Sequence, residues 1–108
     1  MASVSVDIKT RNEGNLAMVT IENISKANCL TSGLVAELES VFRDLALDNE
    51  LRVAVLTGEG PRSFIAGANL QELRNFDEKS GRAYITALQN AHQAIRELPV
   101  PVIARVNG

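Results

Sequence analysis

The stretch with the clearest chemical potential is the decapeptide Phe64–Leu73, which reads FIAGANLQEL. Its segment Ala66-Gly67-Ala68 has almost no side chain, so a ligand can approach the backbone closely. Asn69 follows and is predicted to cap a short helix, its side-chain oxygen accepting from a free amide of the first turn. Amides gathered at a helix start favour a phosphate or a developing oxyanion. We predict a binding or catalytic corner, although a tight packing turn explains this spacing equally well.

Other residues give weaker signals. His92, the single histidine, is predicted on the apolar stripe of a helix, which favours a core or interface role over catalysis. Cys29 is interpreted as mainly structural because no neighbours complete a metal site, and no metal site is predicted. Glu72 is expected to be a solvated glutamate on a short surface helix, and Lys26 an exposed cation. The sequence contains neither a GxxxxGK[ST] loop nor a GxGxxG turn.

Length and composition limit the function classes. The 108 residues suffice for one domain or part of one, and 45% hydrophobic with 22% charged residues is ordinary for a soluble globular protein. A net charge of −2 and 4% aromatic residues argue against a nucleic-acid surface. One cysteine excludes an internal disulfide and favours a reducing compartment. We find no signal peptide and no apolar run that would span a membrane, so a cytoplasmic location is expected.

Apolar periodicity predicts the elements that must position the corner. A period of two near the N-terminus predicts two strands joined by a five-residue hairpin connection, Arg11–Asn15, and a polar irregular segment follows. Thr31 or Ser32 is predicted to cap the first helix. The segment Leu51–Leu56 is apolar except for Arg52, which predicts a parallel strand covered on both faces. The predicted elements are strands at 4–9 and 16–21, a helix at 32–47, a strand at 51–56, helices at 69–75 and 78–98, and a strand at 102–106.

Three sequence blocks in order resemble the crotonase (enoyl-CoA hydratase/isomerase) family. They are Leu51–Gly58, Arg62–Leu70 and Leu98–Gly108, with the expected helices between them. The upstream segment Lys26–Leu30, KANCL, resembles a family loop of the form Ala-Leu-Asn-Ala-Leu. The resemblance runs from about Leu16 to Gly108, and three blocks in order are far more specific than any one alone.

The resemblance implies an α/β fold, a crotonase-like spiral of ββα units assembled as homotrimers or pairs of trimers. It implies acyl-CoA thioester substrates, with coenzyme A as part of the substrate and no tightly bound cofactor. The backbone N–H of Ala68 would be one of two amides that hold the thioester oxygen as it becomes an enolate. The residues implied to line coenzyme A are Lys26, Ala27 and Cys29 at the adenine end, and Ala66, Gly67, Ala68, Asn69, Leu70 and Gln71 along the arm.

Departures from the family pattern concern two residues and the end of the chain. Asn69 stands where the family most often has Asp, which can also cap a helix. Arg105 stands where a small residue is usual. The family's second oxyanion amide and its acid/base glutamates fall after Gly108. We therefore expect residues 1–108 to be the N-terminal part of a single crotonase-like domain, truncated before the second oxyanion-hole turn and inactive alone.

The leading expectation is an enoyl-CoA hydratase, which adds water to a 2-enoyl-CoA. Isomerase, decarboxylase, dehalogenase and thioesterase reactions share these same N-terminal blocks and stay open. A non-catalytic crotonase-like scaffold is the alternative from another class, and the acidic balance counts against an RNA-binding version of it. An unrelated α/β nucleotide binder, using the corner for phosphate, is a third possibility.

Overall fold

Alternating apolar residues at the start of the chain form a hairpin, and the later apolar segments extend it into a sheet. The computed structural model describes residues 2–108. In chain order the elements are β1 Ser3–Arg11, β2 Gly14–Glu22, a 3₁₀ turn Ile24–Lys26, α1 Ser32–Leu45, β3 Leu51–Gly58, α2 Leu70–Asn75, α3 Glu78–Glu97 and β4 Val102–Arg105. The α/β composition and the order of elements agree with the sequence-based predictions.

The four strands form one sheet in the order β1-β2-β3-β4. β1 and β2 are antiparallel, whereas β2–β3 and β3–β4 are parallel. Arg11 pairs with Gly14, so the hairpin turn contains two residues rather than the five predicted. The prediction was wrong because the polar residues Arg11 and Asn15 continue the ladder as strand residues, which satisfies their backbone groups.

One face of the sheet packs on α1. Alternate β2 residues Ala17, Val19 and Ile21 are fully buried and share an apolar cluster with Phe42 of α1. Thr31, one of the two candidate caps, is the N-cap of α1, and its hydroxyl accepts from the Leu34 amide at 3.1 Å. The predicted apolar stripe of this helix is buried, but the helix ends at Leu45, two residues before the predicted end.

The predicted apolar side of α3, which comprises Tyr84, Ile85, Leu88, Ala91, His92, Ile95 and Leu98, is buried in part. Tyr84, Ala91 and Ala94 are buried, whereas His92 is exposed and Ile85 is 53% exposed. The predicted core position of His92 is therefore wrong. Ala91 faces the core, and the next residue of a helix is rotated by about 100°, which turns His92 toward solvent. Whether His92 serves an interface stays a prediction.

The second face of the sheet is less covered than the sequence suggested. On β3, Ala54 is buried but Val53 and Val55 are only half-buried. β4 is an edge strand, and its Ile103 is 53% exposed. The prediction that β3 is covered on both faces is wrong within residues 2–108, since helices pack against one face only. No helix in this part of the chain combines the length and apolar character needed to cross a lipid bilayer.

Candidate functional site

A single parallel bridge holds the predicted corner in place. It pairs Leu30, at the end of the loop after β2, with Ala68, in the loop after β3. The Leu30 amide donates to the Gly67 carbonyl at 2.7 Å, and the Asn69 amide donates to the Leu30 carbonyl at 3.2 Å. Two loops that are far apart in sequence thus meet at Ala68.

This pairing leaves the Ala68 amide available. In a parallel bridge both hydrogen bonds come from the residues that flank the central one, whose own N–H and C=O point to the opposite side. Ala68 is the central residue, and no acceptor within residues 2–108 bonds its N–H. Ala68 is half-buried, so the amide is partly shielded from water while open to a ligand.

A cavity of about 500 Å³ opens beside the bridge. It takes in seven of the nine residues that the resemblance placed around coenzyme A. Its lining consists of Lys26, Cys29, Ala66, Ala68, Asn69, Leu70, Gln71 and Leu73. No carboxylate and no imidazole is among them. The cavity can therefore offer backbone amides and an ammonium group to an anion, but its lining contains no carboxylate or imidazole for general acid–base chemistry.

The remaining two predicted residues shape the cavity without lining it. Gly67 has φ 102°, a left-handed conformation that favours glycine, and its carbonyl is occupied by the Leu30 amide. A β-carbon at Gly67 would meet nothing within 4 Å, so backbone conformation rather than space requires glycine. Ala27 is exposed and also left-handed, with φ 54° at the end of the 3₁₀ turn.

Asn69 caps α2 as predicted and makes one contact that a carboxylate would not make. Its Oδ1 accepts from the Glu72 amide at 3.0 Å, while its Nδ2 donates to the Cys29 sulfur at 3.6 Å. A second amide, Asn23 Nδ2, lies 3.7 Å from the same sulfur. The buried free thiol of Cys29 is thus a hydrogen-bond acceptor in the wall of the cavity. This gives Asn, rather than Asp, a structural use at position 69.

Glu72 is not the freely solvated residue that the sequence suggested. Its carboxylate accepts hydrogen bonds from both the backbone amide and the hydroxyl of Ser32, with the amide at 2.9 Å. Ser32 is the first residue of α1, where backbone amides have no partner within the helix. Glu72 therefore ties the first turn of α2 to the first turn of α1.

Tyr84 approaches the bridge from the core side. It is buried, and its hydroxyl donates to the Leu30 carbonyl at 2.9 Å. Burial raises the pKa of Tyr84 above its ordinary value, and the negative charge of Glu72 adds to this effect. A raised pKa favours the neutral phenol, so the hydroxyl remains a donor throughout the neutral pH range.

Two asparagines that were not predicted as site residues fix the loop before the corner. Asn28 is fully buried in a left-handed conformation, accepts from the Asn23 amide, and donates to the carbonyls of Glu59 and Ser63, each at 2.9 Å. Asn107 donates to the Ser63 carbonyl at 3.1 Å. The sequence did contain a signal for this role of Asn28 in the KANCL segment. Asparagine tolerates a left-handed backbone conformation, and its side chain often forms hydrogen bonds with nearby backbone groups.

Within residues 2–108 no group of three or more His, Cys, Asp or Glu side chains comes together to hold an ion. Lys26 is an exposed cation, as predicted, at one border of the cavity. The arrangement can bind an anion or polarise a carbonyl.

Sequence comparison relates this chain to a family of known proteins. The enoyl-CoA hydratase/isomerase family profile matches residues 11–108. A short-chain-enoyl-CoA hydratase of Clostridium acetobutylicum is 34% identical over 96 residues, which cover 89% of this chain and 37% of that protein. Human enoyl-CoA hydratase domain-containing protein 3, mitochondrial, is 35% identical over 94 residues, which cover 83% of this chain and 30% of that protein. The chain therefore spans well under half the length of these relatives.

Structural comparison agrees. An enoyl-CoA hydratase crystal structure from Bacillus anthracis superposes with a TM-score of 0.87 at 30% identity, covering 97% of this chain and 40% of that one. A crystal structure of an enoyl-CoA hydratase/carnithine racemase from Magnetospirillum magneticum gives a TM-score of 0.84 at 29% identity, with the same coverages. Since the family profile covers nearly the whole chain and the fold agrees, the chain belongs to the enoyl-CoA hydratase/isomerase (crotonase) family.

Proposed function

We propose that this chain provides half of an oxyanion hole and one wall of a coenzyme A groove in an enzyme that acts on acyl-CoA thioesters. The observation that carries the proposal is the Ala68 amide, which has no acceptor within residues 2–108 and borders a cavity of about 500 Å³. Family membership supplies the substrate class. The most favoured reaction is hydration of a 2-enoyl-CoA.

In the proposed reaction the Ala68 amide donates to the thioester carbonyl oxygen. Water adds to the β-carbon, the carbonyl oxygen gains negative charge as the enolate forms, and a proton then reaches the α-carbon to give the 3-hydroxyacyl-CoA. A preorganised amide in a partly dry corner stabilises this charge more than water would, because it needs no reorientation. The proton and the water require a carboxylate outside the cavity wall described here, since that wall contains none.

The same wall suits the coenzyme A portion. Leu70 and Leu73 expose apolar surface beside the amide, with Leu70 70% exposed, and a pantetheine arm would cover such surface. Lys26 places a positive charge where an anionic phosphate would benefit. Ala27 and Gly67 are small, so they leave room for a ligand beside the cavity wall. The proposal includes homotrimers or pairs of trimers and a cytoplasmic location, which rest on the resemblance and the composition.

Proline at position 68 tests the proposal because it removes the N–H, and its ring also fixes φ and restricts the backbone of Gly67, so the fold of the variant is checked as well. In the full encoded polypeptide, Ala68→Pro should lower kcat for crotonyl-CoA hydration by about a hundredfold or more, the usual cost of losing one oxyanion donor. Ala68→Gly is the matched control, since it keeps the amide. Hydration is followed by loss of the enoyl thioester's ultraviolet absorbance, and circular dichroism confirms that both variants fold.

Two results would refute this reading. A proline variant that folds and retains the wild-type kcat would remove Ala68 from the chemistry. Preference of the cavity for ATP over coenzyme A in a competition titration would favour the nucleotide-binding alternative. Product identification separates the remaining options, because hydration yields a 3-hydroxyacyl-CoA, isomerisation shifts the double bond, and a scaffold yields neither.

A further inference from the structure

The bridge that presents the Ala68 amide is short and consists of only two hydrogen bonds, both to Leu30. Isolated bridges of this kind lack the neighbouring ladder bonds that hold a strand in register. The position of Ala68 therefore depends on what fixes Leu30 on one side and the start of α2 on the other. The structure supplies one side-chain contact for each.

Tyr84 fixes the Leu30 side. Its hydroxyl bonds the same Leu30 carbonyl that accepts from the Asn69 amide, so this oxygen has two donors, at 2.9 Å and 3.2 Å. The ring is buried and lies against Phe76, with centroids 5.4 Å apart, which restricts its movement. The contact spans 54 residues of sequence and anchors the bridge to the long helix α3.

Glu72 fixes the α2 side. Its own amide closes the Asn69 cap, and its carboxylate bonds the amide and hydroxyl of Ser32. Ser32 is two residues after Leu30 and Glu72 is four residues after Ala68, so a second contact joins the two segments just beyond the bridge. A carboxylate on an unpaired amide of a helix start is a favourable contact, because the charge meets the positive end of the helix.

We propose that Tyr84 and Glu72 are positioning residues that hold the Ala68 amide in its donor geometry, a role that rests on the proposed function. Neither side chain lines the cavity, and neither needs to touch the substrate. Tyr84 contacts the bridge from the core, and Glu72 joins the two segments of the bridge at the surface. Losing either contact lets the Leu30–Ala68 pair shift, and displacement of a catalytic group by a fraction of an ångström is costly.

Two conservative variants of the full encoded polypeptide test this. Tyr84→Phe removes one hydroxyl and keeps the ring, and Glu72→Met removes the acceptor for the Ser32 amide and hydroxyl while keeping a side chain of similar length. Each should lower kcat for crotonyl-CoA by about tenfold while changing KM less, because the enolate gains most from the amide. Glu78→Met is the matched control, since that exposed carboxylate on α3 bonds only Arg82 and lies away from the bridge.

A second readout does not depend on activity. In ¹⁵N-labelled protein the Ala68 and Gly67 amide resonances should move in both variants and stay in place in the control. If wild-type protein hydrates no enoyl-CoA but these resonances still move, the positioning role stands and the proposed function fails. If wild-type protein is active, and both variants keep its kcat and its Ala68 resonance, the positioning role is wrong. Reduced thermal stability alone, without either change, would also refute it.

Discussion

The helix-covered face of the sheet and the Ala68 corner are held together by different forces. On the covered face, side chains such as Phe42 and Val19 are completely buried and make only apolar contacts. At the corner, position is set by polar contacts from Asn28, Glu72 and Tyr84 to backbone groups. Apolar burial supplies free energy without direction, whereas hydrogen bonds supply direction and modest net free energy. Stability and site geometry should therefore respond to different mutations.

The largest expected effect comes from the covered face. Phe42→Ala removes the largest fully buried side chain and leaves a cavity under β2. We expect the free energy of unfolding to fall by about 3–5 kcal/mol, measured by urea denaturation. Phe42→Leu should cost clearly less because more volume is kept. A loss below about 1 kcal/mol for the alanine variant would mean that this face is not the main source of stability.

Asn28→Ala tests the corner with an intermediate effect. It removes a buried side chain that satisfies three backbone groups, so a loss of about 1–3 kcal/mol is expected. The change should be local: amide exchange or proteolysis should increase at residues 59–63 before global unfolding. Asn23→Ala is a comparison variant on the same network. If Asn28→Ala destabilised the protein as much as Phe42→Ala, the proposed division between the two regions would fail.

Helix capping at Thr31 gives a smaller effect. Thr31→Ala deletes the acceptor for the Leu34 amide and should cost about 1 kcal/mol. Thr31→Ser keeps the oxygen and should be nearly neutral, which separates the cap from the lost methyl. Thermal unfolding followed by circular dichroism checks both. Equal losses for alanine and serine would show that packing, not capping, matters at this position.

The smallest effect concerns pH. Hydrogen bonds from the Ser80 amide and hydroxyl lower the pKa of Asp77 below its ordinary value. A lowered pKa in the folded state adds stability above the unfolded pKa of 3.8, and this contribution disappears as pH falls through the lower folded value. Asp77→Asn should therefore weaken the loss of stability on acidification. An unchanged acid-unfolding profile in this variant would contradict the assignment.

Sequence reasoning reached the parts of the fold that local patterns determine. The stripe on α1, the Thr31 and Asn69 caps and the order of elements depend on residues close together in sequence. Ala68 was identified by resemblance, and the structure adds the bridge that frees its amide. Whether Ala68 and the surrounding residues act on coenzyme A stays a prediction.

The failures share a physical cause. Glu72 was expected to be solvated because a glutamate on a short surface helix usually is, yet its partner Ser32 lies 40 residues earlier. Asn28 was not singled out because its partners lie 31 and 35 residues later. His92 was expected in the core or at an interface, and the core alternative failed because an apolar stripe does not reveal how far the partner helix covers it. Periodicity describes a face, but only tertiary packing determines its borders.

The contacts of Asn107 have a consequence for the order of folding. The side chain of this residue bonds carbonyls of Gly58 and Ser63, which lie 49 and 44 residues earlier, and Asn28 bonds the same Ser63 oxygen. Contacts of long sequence separation form late, because the entropy of closing the intervening chain must be overcome first. During synthesis the β1–β2 hairpin can pair long before Asn107 has left the ribosome. The loop at residues 58–63 is therefore expected to become ordered late, after the β1–β2 hairpin has formed.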